Sequence, residues 1–329
     1  MDFVSGNDLN STSDLSQLNQ IRSFFDPDNA PVSVHQVLLP ELNDKEISLK
    51  LVRDDLLHPM ISGNKWWKLK YALLHAAEEQ IPNLVTFGGP YSNHILAVAA
   101  AGHLFGFQTI GIIRGDEPRS LNPALAQAKE WGMQLKVVSR DSYRQKNDPE
   151  YLVQLKSKWG PCLILPEGGT SPFAIRGTGE MVSRLKFPYD FLCCPVGTGG
   201  TMAGMVVRAK TNTEVIGFSA LKNGSFLGVE VERLLQGYEV SNTRWSINTE
   251  FHFGGYGRSD VALRSFCESF QSSQGVALDL VYTGKMLFGI IELVRRGFFD
   301  QGTRMVAWHT GNAQGIDCAK WGKYSRGFQ

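Results

Sequence analysis

Short apolar runs of strand-forming residues alternate with longer helical stretches along most of this chain, and this alternation limits the folds available to it. Repetition of strand, helix and strand is typical of βαβ units, which build mostly parallel sheets covered by helices. The sequence therefore predicts an α/β fold with open, twisted, mostly parallel sheets flanked by helices. The predicted strands span residues 84–87, 109–113, 135–138, 162–165, 191–196, 215–218 and 305–308.

Small, polar, glycine-rich loops follow four of these predicted strands, at residues 88–94, 166–171, 197–201 and 309–312. In open α/β sheets, ligands bind beyond the carboxyl ends of the strands, where loops enter helices. One such loop is common in any α/β protein. Four loops at equivalent positions indicate a shared ligand-binding cleft.

Charge and composition exclude several classes of partner. The 329 residues carry a formal net charge of only +1, and acidic and basic residues are interspersed. A nucleic-acid backbone requires a basic surface, so we expect no nucleic-acid partner. The polar N-terminal residues lack a basic segment followed by an apolar stretch, so we also expect no secretion signal and no membrane partner.

The cysteine and histidine patterns predict a reduced, cytoplasmic protein without a bound metal. The five cysteines are an odd number and lie mostly in apolar surroundings. Neither a CxxC nor an HExxH motif occurs, which argues against a structural or catalytic metal. Cys193 and Cys194 lie in an apolar run that is more simply explained as a strand interior.

Lys65 stands out among the lysines because it follows Gly63 and Asn64 and precedes two tryptophans at the start of a predicted helix. Partial burial beside the tryptophans lowers the pKa of a lysine and supplies a free amine. Such an amine forms an imine with an aldehyde cofactor. A solvated surface lysine near a helix start is the ordinary alternative, so other motifs must support this interpretation.

The run Gly197-Thr198-Gly199-Gly200-Thr201 leads into an apolar helix and is typical of a phosphate site. Glycines let backbone N–H groups converge on an anion, and the helix N-terminus adds its positive end. The run lacks the lysine of nucleoside-triphosphate loops, and Met202 stands where a dinucleotide motif has glycine. A small cofactor with one phosphate is therefore the better ligand. A tight turn without any ligand is the alternative.

Ser92, Asn93 and His94 stand at the start of another predicted helix, where Ser and Asn are ordinary caps. The same groups could instead bind a substrate carboxylate and the phenolic oxygen of an aldehyde cofactor. His94 is either a polar cleft residue or a helix-surface residue. Tyr256 and Tyr282 lie close to glycines, and the glycines on both sides of Tyr256 predict an exposed loop.

Six ordered motifs, between about residues 51 and 315, give this chain a resemblance to a known family. They are the SGNKxxKL run, the GGxxSNH loop, the GTGGT run, the YG pair at Tyr256, the VYTGK run and the HTG loop. Together they resemble fold-type II pyridoxal-phosphate enzymes, of the tryptophan synthase β-like fold. Within these they resemble the group of 1-aminocyclopropane-1-carboxylate deaminase and D-cysteine desulfhydrase.

The resemblance implies a role for each motif. Lys65 would be the Schiff-base lysine, and Gly197, Thr198, Gly199, Gly200 and Thr201 would bind the phosphate of pyridoxal 5'-phosphate. Asn93 would contact the ring oxygen, and Ser92 would hold the substrate carboxylate and assist proton transfer.

The remaining motifs would line the substrate and the cofactor ring. Tyr256 and Tyr282 would flank a small amino-acid substrate near Asn93 and His94. Thr283 would occupy the position that contacts the pyridine nitrogen of the cofactor.

Thr283 is the position that best discriminates between substrates. Deaminase-like members have Glu there, which protonates the ring, whereas desulfhydrase-like members have a neutral hydroxyl. The sequence therefore predicts β-elimination from D-cysteine to pyruvate, ammonia and sulfide. Ring opening of 1-aminocyclopropane-1-carboxylate to 2-oxobutanoate and ammonia is the alternative, and an inactive cofactor-binding relative is a remoter one.

The resemblance also implies a domain organisation and an oligomeric state. A large cofactor domain would comprise residues 1–67 and 167–329, and a small α/β domain would comprise residues 68–166. The family further implies a homodimer. Tyr91, Glu167 and Asn312 depart from the usual motifs and leave the substrate open.

Overall fold

The computed structural model describes residues 8–29, 31–116, 120–240 and 243–311, so Asn312 and Cys318 lie outside the described residues. Within these ranges the chain forms twelve α-helices and ten β-strands, which group into two compact units. Unit 1 comprises Met1–Pro31 and Lys68–Phe173. Unit 2 comprises Val32–Trp67 and Ala174–Gln329.

The strands are β1 to β10 in chain order: Val34–Val37, Ser48–Val52, Asn83–Gly88, Gln108–Arg114, Gln134–Val138, Cys162–Leu165, Phe191–Val196, Glu214–Ser219, Arg244–Asn248 and Arg304–Trp308. The helices are α1 to α12: Asp8–Phe24, Pro40–Asn43, Asn64–Glu78, Asn93–Phe105, Pro123–Glu130, Arg140–Arg144, Pro149–Trp159, Pro172–Ser183, Gly200–Arg208, Phe226–Leu235, Val261–Gln274 and Thr283–Arg295. All seven runs predicted as strands lie within strands.

Unit 1 is built on a parallel sheet whose strand order is β5-β4-β3-β6. Its strands β3 and β4 are almost completely buried, which explains their continuous apolar sequences. Helix α4 is apolar on every side and is buried along nearly its whole length. The helix begins after the Ser92 cap and ends at Gly106, whose φ of 80° permits a left-handed C-cap.

Unit 2 is built on a larger sheet with the strand order β1-β2-β10-β7-β8-β9. Only β1 pairs in the antiparallel sense, and every other strand pair of this sheet is parallel. Helix α12 buries an apolar face against this sheet, with Met286, Leu287 and Ile290 in the core. The predicted α/β fold with mostly parallel, helix-flanked sheets is therefore confirmed.

The division into units differs from the predicted domains at two places. The boundary after residue 67 coincides with the predicted one, whereas the second boundary follows Phe173 rather than residue 166. The N-terminal segment groups with the smaller unit because helix α1 packs there: Gln17 donates a hydrogen bond to the Phe105 carbonyl oxygen at 2.6 Å, and Phe24 contacts the Phe105 ring.

Across the described ranges, no helix combines the length and the apolar character needed to cross a membrane.

Candidate active site

Lys65 lies in the first turn of helix α3, and the backbone around it is held by two strand ends of unit 2. The Gly63 N–H donates to the Asp54 carbonyl oxygen at 3.0 Å, and the Asn64 N–H donates to the Thr310 carbonyl oxygen at 3.2 Å. Gly63 has a φ of 63°, and a Cβ there would lie 1.9 Å from the Thr310 oxygen. Only glycine fits this close approach, so the sequence fixes the start of the lysine helix.

The Lys65 amine is connected to the glycine-rich loop through one asparagine. Lys65 Nζ donates to Asn64 Oδ1 at 2.8 Å, and Asn64 Nδ2 donates to Thr201 Oγ1 at 2.9 Å. The lysine side chain is partly buried, and desolvation lowers its pKa from 10.5 to about 8. About a tenth of this amine is therefore neutral at pH 7, compared with well under a thousandth for an ordinary lysine, and the neutral form is the nucleophile.

The loop that follows β7 forms the start of helix α9, and its glycines have steric reasons to be there. Gly199 adopts a left-handed φ of 80° as the N-cap of this nine-residue helix. A Cβ on Gly197 would lie 3.1 Å from the Tyr282 hydroxyl oxygen. The first-turn N–H groups of a helix lack intrahelical acceptors, so the loop offers N–H donors and a positive dipole end to an anion.

Glycines in helices α8 and α9 allow these helices to pack closely against each other and against the helix that carries Lys65. A Cβ on Gly204 would lie 2.0 Å from Thr178 Oγ1, and a Cβ on Gly177 would lie 2.0 Å from the Trp67 carbonyl oxygen. Thr178 Oγ1 also donates to the Gly200 carbonyl oxygen at 3.3 Å. Within unit 2, the first turn of α3 and helices α8 and α9 therefore pack backbone against backbone around Lys65 and the start of α9.

Tyr282 and Thr283 stand at the start of helix α12, where Asp279 fixes the backbone. The Asp279 carboxylate accepts from the N–H groups of Val281, Tyr282 and Thr283 at 2.9, 2.6 and 3.0 Å. The Thr283 side chain is completely buried, yet its Oγ1 has no hydrogen-bond partner among the described residues. Buried hydroxyls are normally hydrogen-bonded, so this oxygen is available to a ligand.

Tyr256 lies on the exposed loop that the flanking glycines predicted. It is 43% exposed, and its ring meets the Tyr282 ring edge to face with centroids 5.9 Å apart. The Tyr282 hydroxyl in turn lies beside Gly197. Unit 2 thus brings together Lys65, the glycine-rich loop and both tyrosines.

Ser92, Asn93 and His94 lie in unit 1 at the start of helix α4. Ser92 is the N-cap and its Oγ accepts from the Ile95 N–H at 3.4 Å, a long bond that leaves acceptor capacity. Asn93 Oδ1 is buried and has no partner within the described part of the chain. The His94 ring is 1% exposed and packs against Gly169, so its side chain is not on the helix surface.

Sequence reasoning missed a buried carboxylate, Asp54, which lies behind the lysine helix. Asp54 Oδ2 accepts from the indole N–H groups of Trp67 and Trp308 at 2.8 and 2.9 Å. Burial raises the pKa of this carboxyl to about 7, and the two indole hydrogen bonds oppose that shift. Asp54 follows β2, a strand that the search for apolar runs did not predict. The position of Asp54 just after the end of this strand was the signal from which the residue could have been found.

The raised pKa of Asp54 predicts that this carboxyl makes the protein less stable as pH rises. Its pKa of about 7 in the folded state exceeds the ordinary aspartate value of 3.8, so the folded state binds the proton more tightly than the unfolded state does. The favourable contribution is complete below pH 4 and is lost as pH rises through 7. Relative to Asp54→Asn, which keeps an acceptor for both indoles, we expect the wild type to lose about 2 to 4 kcal/mol between pH 4.5 and 8.

Urea unfolding of both proteins at these two pH values measures this difference. Asp190→Asn is the matched control, because the Arg304 guanidinium lowers the pKa of the exposed Asp190 carboxyl instead. The Asp190 control should therefore show no loss of wild-type stability over the same range. A wild-type advantage over Asp54→Asn that is equal at both pH values contradicts the prediction.

Comparison with known proteins identifies the class to which this fold and site belong. Residues 35–311 match the family model described as pyridoxal-phosphate dependent enzyme. A putative 1-aminocyclopropane-1-carboxylate deaminase of Pyrococcus furiosus is 30% identical over 280 residues, covering 80% of this chain and 84% of the relative. The mitochondrial bifunctional D-cysteine desulfhydrase/1-aminocyclopropane-1-carboxylate deaminase of Arabidopsis thaliana is 27% identical over 341 residues, covering 96% of this chain and 84% of the relative.

A solved structure of a homologue of 1-aminocyclopropane-1-carboxylate deaminase has the same fold, with a TM-score of 0.74 at 24% identity, covering 89% of this chain and 94% of that chain. The chain therefore belongs to the family of pyridoxal-phosphate dependent enzymes. Within it, the chain falls in the 1-aminocyclopropane-1-carboxylate deaminase and D-cysteine desulfhydrase group. Its cofactor is pyridoxal phosphate, as predicted.

The residues present fit this cofactor. Pyridoxal phosphate, when bound, supplies an aldehyde that links to an amine and a ring that withdraws electrons from the substrate. Unit 2 offers the Lys65 amine, a glycine-rich helix start and the buried Thr283 Oγ1, which has no partner among the described residues. Unit 1, considered by itself, offers the buried Asn93 Oδ1, which likewise has no partner there. Within the described ranges, no cluster of three or more His, Cys, Asp or Glu side chains is placed to hold a metal ion.

Proposed function

We propose that this enzyme is a deaminating lyase that acts on a small amino acid, with D-cysteine as its preferred substrate. The reaction consumes water and gives pyruvate, ammonia and sulfide. Both reactions of the group, this β-elimination and the opening of the cyclopropane ring, are named together for the Arabidopsis relative. The preference between them therefore has to come from this chain's own residues.

The observation that carries the preference is the neutral, buried hydroxyl of Thr283. We assign Thr283 to the pyridine nitrogen of the cofactor. A hydroxyl there leaves the ring a weaker electron acceptor than a carboxyl would. The thiolate of cysteine is a good leaving group and tolerates a weaker acceptor. The cyclopropane amino acid has no α-proton, so its ring opening gains more from a protonated cofactor ring.

The proposal gives Lys65 and Ser92 the proton transfers. Lys65 would hold the cofactor through its amine and, once that amine is free, would take the proton from the substrate α-carbon. A pKa of about 8 suits a general base that works near neutral pH. Ser92 holds the substrate carboxylate, with help from N–H groups at the start of α4, and assists proton transfer.

The other proposed contacts bind and orient. The residues from Gly197 to Thr201 bind the phosphate group through backbone N–H groups and threonine hydroxyls. Asn93 contacts the ring oxygen, and Tyr256 and Tyr282 flank the substrate. We retain His94 as a proposed substrate-binding residue, although the burial of its ring favours a supporting contact behind Asn93.

The second candidate function is 1-aminocyclopropane-1-carboxylate deamination. The contact between Tyr256 and Tyr282 favours it, because paired tyrosines close to the substrate suit ring opening. Incubation of the purified enzyme with each amino acid, followed by assays for pyruvate, sulfide and 2-oxobutanoate, separates the two. Formation of 2-oxobutanoate alone contradicts our preference. Failure of both reactions, with cofactor bound, favours the remoter alternative of an inactive relative.

Replacement of Thr283 by Glu tests the assignment of this residue. We expect Thr283→Glu to lower kcat for β-elimination by about 10-fold relative to Thr283→Gln, because a protonated ring holds more of the negative charge that would otherwise expel the thiolate. The two side chains match in shape and differ in charge. Steady-state sulfide release measures this effect. Equal rates for the Glu and Gln variants contradict the role that we give to Thr283.

We further propose that the enzyme is a cytoplasmic homodimer. Cys162, Cys193, Cys194 and Cys267, the cysteines in the described part of the chain, are thiols rather than disulfides, which fits a reducing compartment. Burial raises the pKa of the Cys193 and Cys267 thiols, so neither behaves as a reactive thiolate. Sedimentation analysis of the cofactor-loaded protein measures the oligomeric state.

A further inference from the structure

A second buried lysine, Lys285, lies in the first helical turn of α12, two residues after Thr283. Its side chain is 1% exposed, and Nζ lies within hydrogen-bond distance of three backbone oxygens: Gly255 at 2.7 Å, His252 at 2.9 Å and Ala220 at 3.3 Å. A protonated amine has three donors and no acceptor. The three carbonyls therefore match the ammonium form of Lys285 completely.

A charged ammonium group is energetically unfavourable at this position, so its presence calls for a specific role. A cation in the first turn of a helix opposes the helix dipole, and burial penalises its charge. Desolvation lowers the pKa of Lys285 to about 8, while the Asp279 carboxylate opposes that shift. An apolar side chain of similar length would avoid both costs. Packing alone therefore does not explain a lysine at this position.

The three carbonyls belong to two loops of unit 2 that follow neighbouring parallel strands. Ala220 comes directly after β8, and His252 and Gly255 belong to the segment of residues 249–260 that follows β9. Most of residues 254–258 is exposed, with Gly255 the exception. The Gly255 carbonyl thus attaches the exposed part of this segment, which carries Tyr256, to the start of α12.

We propose that Lys285 is a positioning residue: it holds the 249–260 segment so that the Tyr256 ring stays in contact with Tyr282. The short stretch of residues 279–285 at the start of α12 then sets three groups at once, because Asp279 fixes the backbone of Tyr282 and Thr283 while Lys285 fixes the loop of Tyr256. The effect on substrate rests on the proposed function of Tyr256. The effect on the loop does not.

Hydrogen exchange of the full chain loaded with pyridoxal phosphate tests the loop directly. In Lys285→Met, which keeps the stem and removes the donors, we expect the amides of Gly254, Gly255 and Arg258 to exchange at least about 10-fold faster, since their acceptors lie in the released segment. The amides of strands β7 and β8 should keep their protection. Unchanged exchange at residues 254–258 overturns the inference.

A double-mutant cycle tests the link to turnover. We expect Lys285→Met and Tyr256→Phe each to lower kcat/KM by about 10-fold, and the double variant to be little worse than either alone. Visible absorbance of the bound cofactor should persist in all three proteins. If the loss of kcat/KM in the double variant equals the product of the losses in the two single variants, Lys285 acts independently of Tyr256. That result overturns the positioning role.

A third variant and a separate readout cover the remaining outcomes. Lys285→Gln keeps two donors, so its exchange rates should lie between those of the wild type and Lys285→Met. If neither variant folds, Lys285 serves the folding of unit 2 and the inference is overturned. If the wild type turns over neither amino acid, the proposed function fails, and exchange at residues 254–258 still decides the inference.

Discussion

Replacement of Lys65 by Ala is expected to lower kcat by about 10³ to 10⁴-fold and to remove the visible absorbance of a lysine-linked cofactor. Lys65 Nζ donates to Asn64 Oδ1, and Asn64 Nδ2 donates to Thr201 Oγ1 at the start of the glycine-rich helix, so this amine is held beside the proposed phosphate site. The variant should still bind pyridoxal phosphate, because the backbone of the glycine-rich loop is unchanged. Absorbance spectra and product assays on the same samples measure both effects.

Two further variants distinguish the loss of the Lys65 amine from the loss of its charge and from a general disturbance of helix α3. Lys65→Arg keeps a positive charge but cannot link to the aldehyde, so it should be as inactive as Lys65→Ala. Lys70→Met removes a different buried lysine of helix α3 and should keep the visible band. A wild-type protein that stays colourless after addition of pyridoxal phosphate contradicts the assignment of Lys65.

The central strands of both sheets were predictable because they carry continuous apolar runs. Parallel strands buried on both faces require such runs, and β3, β4, β7, β8 and β10 all have them. The strands that sequence reasoning missed differ in burial: β1 and β9 are partly exposed edge strands, and β2 alternates between buried and half-buried residues. Apolar runs therefore identified every inner strand except β2, and of the four edge strands they identified β5 and β6 but not β1 and β9.

The chemical groups of the candidate site were predictable where their chemistry is local. A lysine after Gly-Asn and a glycine-rich helix start are visible in short windows, so Lys65 and the segment from Gly197 to Thr201 could be singled out. The supporting residues could not, because their partners are remote in sequence. Asp54 bonds Trp308, 254 positions away, and Lys285 bonds Ala220, 65 positions away.

The N-terminal segment illustrates the same limit. Helix α1 packs on unit 1 through contacts such as the hydrogen bond from the Gln20 side chain to the Leu104 carbonyl oxygen and the ring contact between Phe24 and Phe105. The aromatic pair Phe24-Phe25 was the local signal for a packed helix end. Only the fold shows which surface receives it.

The largest stability effect that we predict comes from Gly63→Ala. The added methyl group would lie 1.9 Å from the Thr310 carbonyl oxygen and 2.5 Å from the Gly311 nitrogen, and all of these atoms are backbone. The side chain also strains a φ of 63°. Left-handed strain of about 1 kcal/mol and a forced backbone shift of about 1 to 3 kcal/mol together predict a loss of about 2 to 4 kcal/mol in the free energy of unfolding.

Gly275→Ala is the matched control for this substitution. Gly275 also lies in unit 2 and has a φ of 68°, but a Cβ there would meet no atom within 4 Å. It should therefore cost only the backbone strain, about 1 kcal/mol. Urea unfolding of the two variants without added cofactor gives the difference that is due to the close approach.

The same substitution connects stability to the active site, because Gly63 and Thr310 together place the lysine helix. Displacement of Thr310 breaks its hydrogen bond to the Asn64 N–H, and Asn64 is the residue that joins Lys65 to Thr201. We therefore expect Gly63→Ala to weaken pyridoxal phosphate binding by at least about 10-fold, while Gly275→Ala leaves it unchanged. Titration with the cofactor, followed by visible absorbance, measures both affinities. Equal affinities and equal unfolding free energies for the two variants would show that the contact between Gly63 and Thr310 does not position Lys65.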